Sequence, residues 1–273
     1  VAVTTAVLKF GGDVVADRER LDEVLRVVAE RASQGWRFCI CHGGGPQLTA
    51  LTRRLGMTPT KVGGRRVTDG PTLQVAKQVL GGEVNVDVVS AALQAGLEAV
   101  GICGVSARVV DAHRRPPIQV SGGGPDPVDF GFVGRIDRIR TGLIEHLWAG
   151  GFVPVMSTLG IGEDGQVYNI NADTVSSAVA GALGADHLFL MTSIGAVLLD
   201  KDDPTTRLTQ LTATRARQLI EHGAIVGGMI PKVEEALKIL GEGAGAVHIL
   251  GGSPEALAAE IDSPGSSGTV LLP

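Results

Sequence analysis

Three glycine-rich junctions, and the charged residues beside them, are the parts of this chain whose types and spacing could do chemistry. Gly11 and Gly12 follow the apolar run "LKF", Gly43 to Gly45 follow "CICH", and Gly227 and Gly228 precede "MIPKVEEAL". A strand that ends on glycine and turns into a helix leaves backbone N–H groups aimed at open space with a helix N-terminus behind them, which is a site for anions and for phosphate above all. One such pair reads more simply as a tight turn, but three in one chain favour phosphate. Lys9 stands just before the first junction and Lys232 just after the third. Phosphoryl transfer asks for cations and fixed dipoles around the moving group more than for covalent chemistry, so two lysines at glycine turns suit it. Arg65 and Arg66 are either a solvated hairpin edge or a carboxylate clamp, since a guanidinium grips a carboxylate through two parallel hydrogen bonds. Asp173, after "NINA", is on the residues alone a helix N-cap. His42 closes its strand as a structural residue. No G-x-x-x-x-G-K-[ST], no protein-kinase signature and no strand-to-helix G-x-G-x-x-G occurs, so P-loop and dinucleotide chemistry are set aside.

These residues need elements to hold them, and the hydrophobic pattern supplies βα units. Strands are predicted at 5–10 ("TAVLKF"), 36–42, 152–156, 187–191 and 246–250, alternating with helices, which argues for a mostly parallel sheet. Leu21, Val24, Leu25, Val28 and Ala32 fall at helical spacing within 17–34. A β-hairpin is expected in "MTPTKVGGRRVTDG", two helical stretches between Pro71 and Ala95, and a small antiparallel layer from 99 to 139. A helix near 140–149 and a hairpin reaching Asn169 come next, then helices over "ADTVSSAVAGALG", 213–222 and 231–240. A weak boundary near Gly184 divides the chain into 1–184 and 185–273.

Composition removes other classes. The 273 residues are 44% hydrophobic, enough for a sizeable core. A net charge of −5 and 3% aromatic content leave neither a basic field nor stacking platforms for nucleic acid. No apolar run approaches the ~20 residues that span a bilayer, and "VAVTTAVLKFGG" lacks the basic-then-apolar order of a signal peptide, so a soluble cytoplasmic protein without membrane contact is expected. Cys39, Cys41 and Cys103 are read as reduced core residues.

The motifs "LKFGG", "HGGGPQ", "RRVTDG", "VLGGEVN", "GFVGRI", "YNINADTVSSAVA", "DKDDP" and "GGMIPKVEEAL" together resemble the amino acid kinase family and, within it, the acetylglutamate kinase branch. The resemblance runs nearly end to end. The chain departs from it at "GICGVSA", at "GGEVNV" and at "MTSIG". It implies a three-layer α/β/α sandwich with a mostly parallel central sheet in two lobes, 1–184 binding the acyl amino acid and forming the dimer, 185–273 binding the nucleotide. The implied reaction moves the γ-phosphoryl group of ATP, accompanied by Mg²⁺, to the γ-carboxylate of N-acetyl-L-glutamate. Catalytic roles fall on Lys9, Lys232 and Asp173, the last as an organiser of the two lysines. Acceptor binding falls on Gly44, Gly45, Arg66 and Asn169, and nucleotide binding on Gly12, Thr192, Ser193, Gly195, Gly228 and Met229. No dedicated metal ligands are implied, because Mg²⁺ can be held by phosphate oxygens and water. No base is required either, since a carboxylate acceptor with reference pKa ~4.3 is already ionised at neutral pH. A kinase for another amino-acid carboxylate, such as glutamate or carrier-linked aminoadipate, and a non-catalytic nucleotide- or oxyanion-binding protein of the same fold are the alternatives. The early first strand leaves little room for the amino-terminal helix of arginine-inhibited hexameric relatives. A homodimer built through apolar helix faces at 71–95, without strong arginine inhibition, is therefore expected.

Overall fold

A computed structural model describes residues 3–120, 124, 126–193, 195–200, 203–225 and 229–273. The chain opens with β1 (Thr5–Phe10), α1 (Gly12–Ala16), α2 (Arg18–Ser33), β2 (Arg37–His42) and α3 (Gly45–Arg54). The hairpin β3 (Lys61–Val62) and β4 (Arg65–Arg66) leads to α4 (Gly70–Gln78), which passes through a π-helical turn at Val79–Glu83 into α5 (Val84–Gln94). Then come β5 (Ala99–Cys103), β6 (Val110–Arg114), β7 (Gly134–Ile139), α6 (Gly142–Ala149), β8 (Val153–Ser157), β9 (Leu159–Ile161), β10 (Val167–Asn169) and α7 (Ala172–Leu183). The remainder is β11 (His187–Met191), β12 (Gln210–Thr212), α8 (Ala213–Glu221), α9 (Met229–Gly241), β13 (Ala246–Leu250), α10 (Pro254–Asp262) and β14 (Thr269–Leu272).

Eight strands form one sheet in the order β12-β14-β13-β11-β1-β2-β8-β5. The pair β13–β14 is antiparallel and the other described neighbours run parallel. Parallel strands covered on both faces read as continuous apolar runs, which is why "TAVLKF" and "RFCICH" were legible as strands. The two faces separate cleanly within single strands. Ala6, Leu8 and Phe10 pack with α2 and α5, whereas Val7, Cys39 and Cys41 pack with α6, α7 and α9. Helices thus cover both faces, giving the expected three-layer sandwich. Cys39 and Cys41 are buried free thiols, and the hydrogen bond with Cys39 together with burial pushes the Cys41 thiol well up, so it is inert core.

A second, four-stranded sheet has the order β10-β9-β6-β7 and lies at the mouth of the main one. The antiparallel layer expected over 99–139 is narrower than that range. Ala99–Cys103 instead pairs in parallel with β8 as the edge of the main sheet. Three elements had no sequence expectation at all: β12, α10 and β14.

β1, β2 and β11 run parallel, so their carboxyl ends open on the same side of the sheet. Ligands of open α/β sheets bind outside those ends. Here they lead directly into Gly11, Gly43 and Thr192.

Candidate active site

Lys9 is the fifth residue of β1, its side chain 11% exposed, and its Nζ lies 2.8 Å from Oδ1 of Asp173 at the start of α7. The two charges come from positions 164 apart in sequence, brought together because α7 packs directly on β1 and β2. Asp173 is not the cap of its helix. That position belongs to Asn171, whose side chain accepts from the Asp173 N–H at 3.3 Å. With the capping duty met by Asn171, the Asp173 carboxylate is free to hold the lysine.

The first two glycine junctions pack directly against each other and line the same cleft as this ion pair. A Cβ on Gly12 would lie 2.5 Å from Cδ of Pro46, and one on Gly44 would lie 2.7 Å from Cδ2 of Leu80 and 3.2 Å from Cγ2 of Val84. Close backbone approach, and not a left-handed turn, is what requires glycine at both. Gly44 is the N-cap of α3 and Gly45 its first residue, so their N–H groups have no intrahelical acceptor. Lys9, Asp173, Gly12, Gly44, Gly45, Arg66, Asn169 and Thr192 all line a single cleft of about 1200 Å³.

On one wall, Arg66 projects from the β3–β4 hairpin. Its Nη2 donates to the Gly45 carbonyl at 3.1 Å and to Oγ1 of Thr49 at 2.6 Å, while Nη1 is buried without a hydrogen-bond partner. Burial pulls its pKa below the usual arginine value. A half-buried guanidinium with one donor edge fixed and another unfilled is a receptor for an anion. Asn169, at the end of β10, donates from Nδ2 to Oγ1 of Thr68 at 3.2 Å, and Thr68 is fully buried. That hydrogen bond leaves the Asn169 carbonyl oxygen to accept from an amide N–H.

On the other wall, the Thr192 N–H donates to Leu250 at 2.8 Å, and its Oγ1 accepts from the Gly195 N–H at 3.2 Å. Gly195 has φ +77, the left-handed conformation that favours glycine. Ser193 is exposed in that turn. Met229 begins α9 and packs against the core, and neither it, Ser193 nor Gly195 lines the cleft. Gly227 and Gly228 lie outside the described residues, and Lys232 is placed only as a backbone position in α9. Glu235, one turn further along that helix, does line the cleft. Burial and the Asp173 charge raise its carboxyl above the ordinary value, against the hydrogen bond from Thr174.

A profile of the Amino acid kinase family matches residues 4–251. The chain belongs to that family. Among relatives of this amino acid kinase, the acetylglutamate kinase of Sorangium cellulosum (strain So ce56) is 47% identical over 276 residues, covering 99% of this chain and 97% of the relative. The acetylglutamate kinase of Anaeromyxobacter dehalogenans (strain 2CP-C) is also 47% identical, over 269 residues, 98% of this chain and 99% of the relative. Among solved structures, N-acetylglutamate synthase from Neisseria gonorrhoeae, complexed with coenzyme A and N-acetyl-glutamate, superposes with a TM-score of 0.80 at 24% identity. It is matched over 99% of this chain and 59% of its own. Carbamate kinase from Giardia lamblia bound to AMP-PNP gives a TM-score of 0.72 at 17% identity, over 99% of both chains. At those identities the two structures speak for the fold alone, an amino acid kinase-like α/β sandwich.

Sequence reasoning singled out the kinase's charged residues and missed the ones that aim them. Thr49 accepts from Arg66 and donates to the Gly45 carbonyl at 2.9 Å, and Thr68 orients Asn169. Thr68 stands inside the quoted "RRVTDG", yet a lone threonine carries no periodic signal of such a role.

Proposed function

We propose that this chain is an ATP-dependent kinase of the γ-carboxylate of N-acetyl-L-glutamate, producing N-acetyl-L-glutamyl 5-phosphate and ADP in the second step of arginine biosynthesis. The observation that carries the reading is the Lys9–Asp173 pair in one cleft with two close-packed glycine junctions, in a chain 47% identical to acetylglutamate kinases over nearly its whole length.

In the reaction, an oxygen of the ionised γ-carboxylate attacks the γ-phosphorus and the bond from that phosphorus to the bridging oxygen breaks, its electron pair leaving on ADP. Lys9 and the amides at Gly12, Gly44 and Gly45 neutralise the charge on the phosphoryl oxygens. Asp173 fixes Lys9 and, in this reading, also Lys232 from the helix that carries Glu235. Arg66 takes the α-carboxylate through its unfilled edge, and the Asn169 carbonyl oxygen takes the acetamido N–H. Residues 1–184 form the acceptor-binding lobe and 185–273 the nucleotide lobe, where Thr192 lines the cleft and Ser193, Gly195, Gly228 and Met229 are assigned to the nucleotide on the family resemblance alone. Mg²⁺ would arrive with ATP and would supply positive charge to the phosphate oxygens, needing no dedicated protein ligands.

A homodimer is supported by α5, where Val86 is 63% and Leu93 51% exposed two helical turns apart on one face. No helix of the described residues is long and apolar enough to cross a membrane. The enzyme is placed in the cytoplasm, with ATP.

A coupled ADP-release assay across acetylglutamate, glutamate, aspartate, aminoadipate and carbamate tests the proposal. Acetylglutamate should be strongly preferred, because free glutamate leaves the amide-binding groups unpaired and brings an ammonium charge. Equal rates on acetylglutamate and glutamate would overturn it.

A further inference from the structure

The motif "VLGGEVN" ends on a residue that none of the roles above uses. Asn85 is 7% exposed and sits in the first turn of α5, just past the π-helical turn Val79–Glu83. Its Nδ2 lies 3.0 Å from the Val155 carbonyl oxygen of β8 and 3.0 Å from Nε2 of His42. Its Oδ1 faces β5, where a Cβ on Gly101 would come within 2.4 Å of it. His42 is fully buried, and its Nδ1 lies 3.0 Å from the carbonyl oxygen of Gly43.

The proton positions follow from the partners. A carbonyl can only accept, so the Asn85 amide nitrogen must be the atom facing Val155 and, at 3.4 Å, Ile102. Nε2 of His42, at 3.0 Å, is the nearer partner for its second proton, and the Gly43 carbonyl likewise requires the His42 ring proton on Nδ1. Nε2 of His42 therefore accepts, Nδ1 carries the ring proton, and that proton is donated to Gly43. In a planar trans peptide the carbonyl oxygen of Gly43 and the N–H of Gly44 point in opposite directions. Tying the oxygen to the buried imidazole turns the Gly44 N–H the other way, and Gly43 and Gly44 both line the cleft.

We propose that Asn85 and His42 are positioning residues that act through the Gly43–Gly44 peptide, fixing its orientation so that the Gly44 N–H donates to the transferred phosphoryl group. The same turn that delivers Asn85 brings Leu80 and Val84 against Gly44, so direction and depth of this donor are set by one segment. The inference rests on the kinase reading for its effect on rate, whereas the tautomer it requires can be observed without any activity.

Two measurements test it. In ¹⁵N-resolved NMR of the intact protein at neutral pH, His42 should be the neutral Nδ1–H tautomer; an Nε2–H tautomer overturns the proposal whether or not the chain phosphorylates acetylglutamate. In kinetics, His42→Asn places an amide N–H where Nδ1 stood and should keep kcat within about threefold. His42→Gln places its amide near Nε2 and should lower kcat about 10-fold or more, with both KM values within about twofold, as expected for a misaimed transition-state donor. Equal kcat values for the folded Asn and Gln variants would overturn it.

Discussion

Two buried polar clusters in this molecule differ in one respect that separates architecture from site. At the junction of β13 and α10, Glu260 is fully buried and accepts from Nδ1 of His248 at 2.9 Å and from the N–H groups of Gly265, Ser267 and Gly268 at 2.6, 3.2 and 2.9 Å. His248 reaches on to His187 at 3.0 Å. Both carboxylate oxygens are occupied, and the cluster closes the loop before β14. In the cleft, Arg66 keeps a buried donor unfilled and the amides at Gly44 and Gly45 stand at a helix start. Spare hydrogen-bonding capacity, and not burial or charge, is what marks the second cluster as a place for a ligand.

Substitutions in the two clusters should therefore fail in different ways. The largest effect is expected from Glu260→Ala, which strands His248 and three amides in the interior and should cost about 3 kcal/mol or more of stability. Chemical denaturation would read this, while the folded fraction keeps its kcat; a variant as stable as the parent would erase the distinction. Next, Lys9→Ala should lower kcat by ~10²-fold with the unfolding midpoint nearly unchanged, the loss of one preorganised transition-state cation. A large stability loss with modest kinetic change would move Lys9 into the structural class.

Acid should act first on the closed cluster. Burial, and the neighbouring His248, lower His187 to about 4, so the folded protein holds it neutral while the unfolded chain takes up a proton below about 6.5. Its contribution to stability is present above that value and fades as pH falls from about 6.5 to about 4. For Glu260, burial alone would raise the carboxyl, but the hydrogen bonds from His248, Gly265 and Gly268 outweigh it and hold the group at about 2. Its contribution is present above the ordinary carboxylate value of 4.5 and is lost as pH falls towards about 2. Unfolding midpoints measured from pH 7 to 3 should fall throughout, and His187→Phe should flatten the upper part of the curve. The smallest effect is expected for Arg66→Lys. A point charge cannot keep Thr49 and Gly45 on one edge and a carboxylate on the other, so the KM for acetylglutamate should rise about 10-fold with kcat little changed. An unchanged KM would place the α-carboxylate elsewhere.

The sandwich was legible because β1, β2, β8, β11 and β13 are apolar runs and α2 and α7 carry a clean helical period. The glycine junctions were legible for the opposite reason, as breaks in that pattern with lysine beside them. α10 announces itself with Ser253 and Pro254, and the Ser253 side chain does cap it at 3.2 Å, yet the surrounding glycine and serine hid it. β12 and β14 are three and four residues long, too short for periodicity to register. Asp173 read as a cap because Asn171 and Asp173 are both good caps, and only the backbone decides between them. Thr49, Thr68 and Asn85 act on partners 17, 101 and 43 positions away, and no local pattern encodes such pairings.

The π-helical turn at Val79–Glu83 has a consequence for how this chain can change. It holds one residue more than an α-helical turn would. That wide turn takes up the extra residue without rotating the helix beyond it. Removing Gly82 would let the turn tighten to α-helical width and leave Asn85 directed at His42 and Val86 and Leu93 on their exposed face. A residue added ahead of Asn85 and wound as α-helix would instead turn all three by roughly 100°, the angle of one α-helical residue. The turn is thus the place where this segment can lose a residue without disturbing either face.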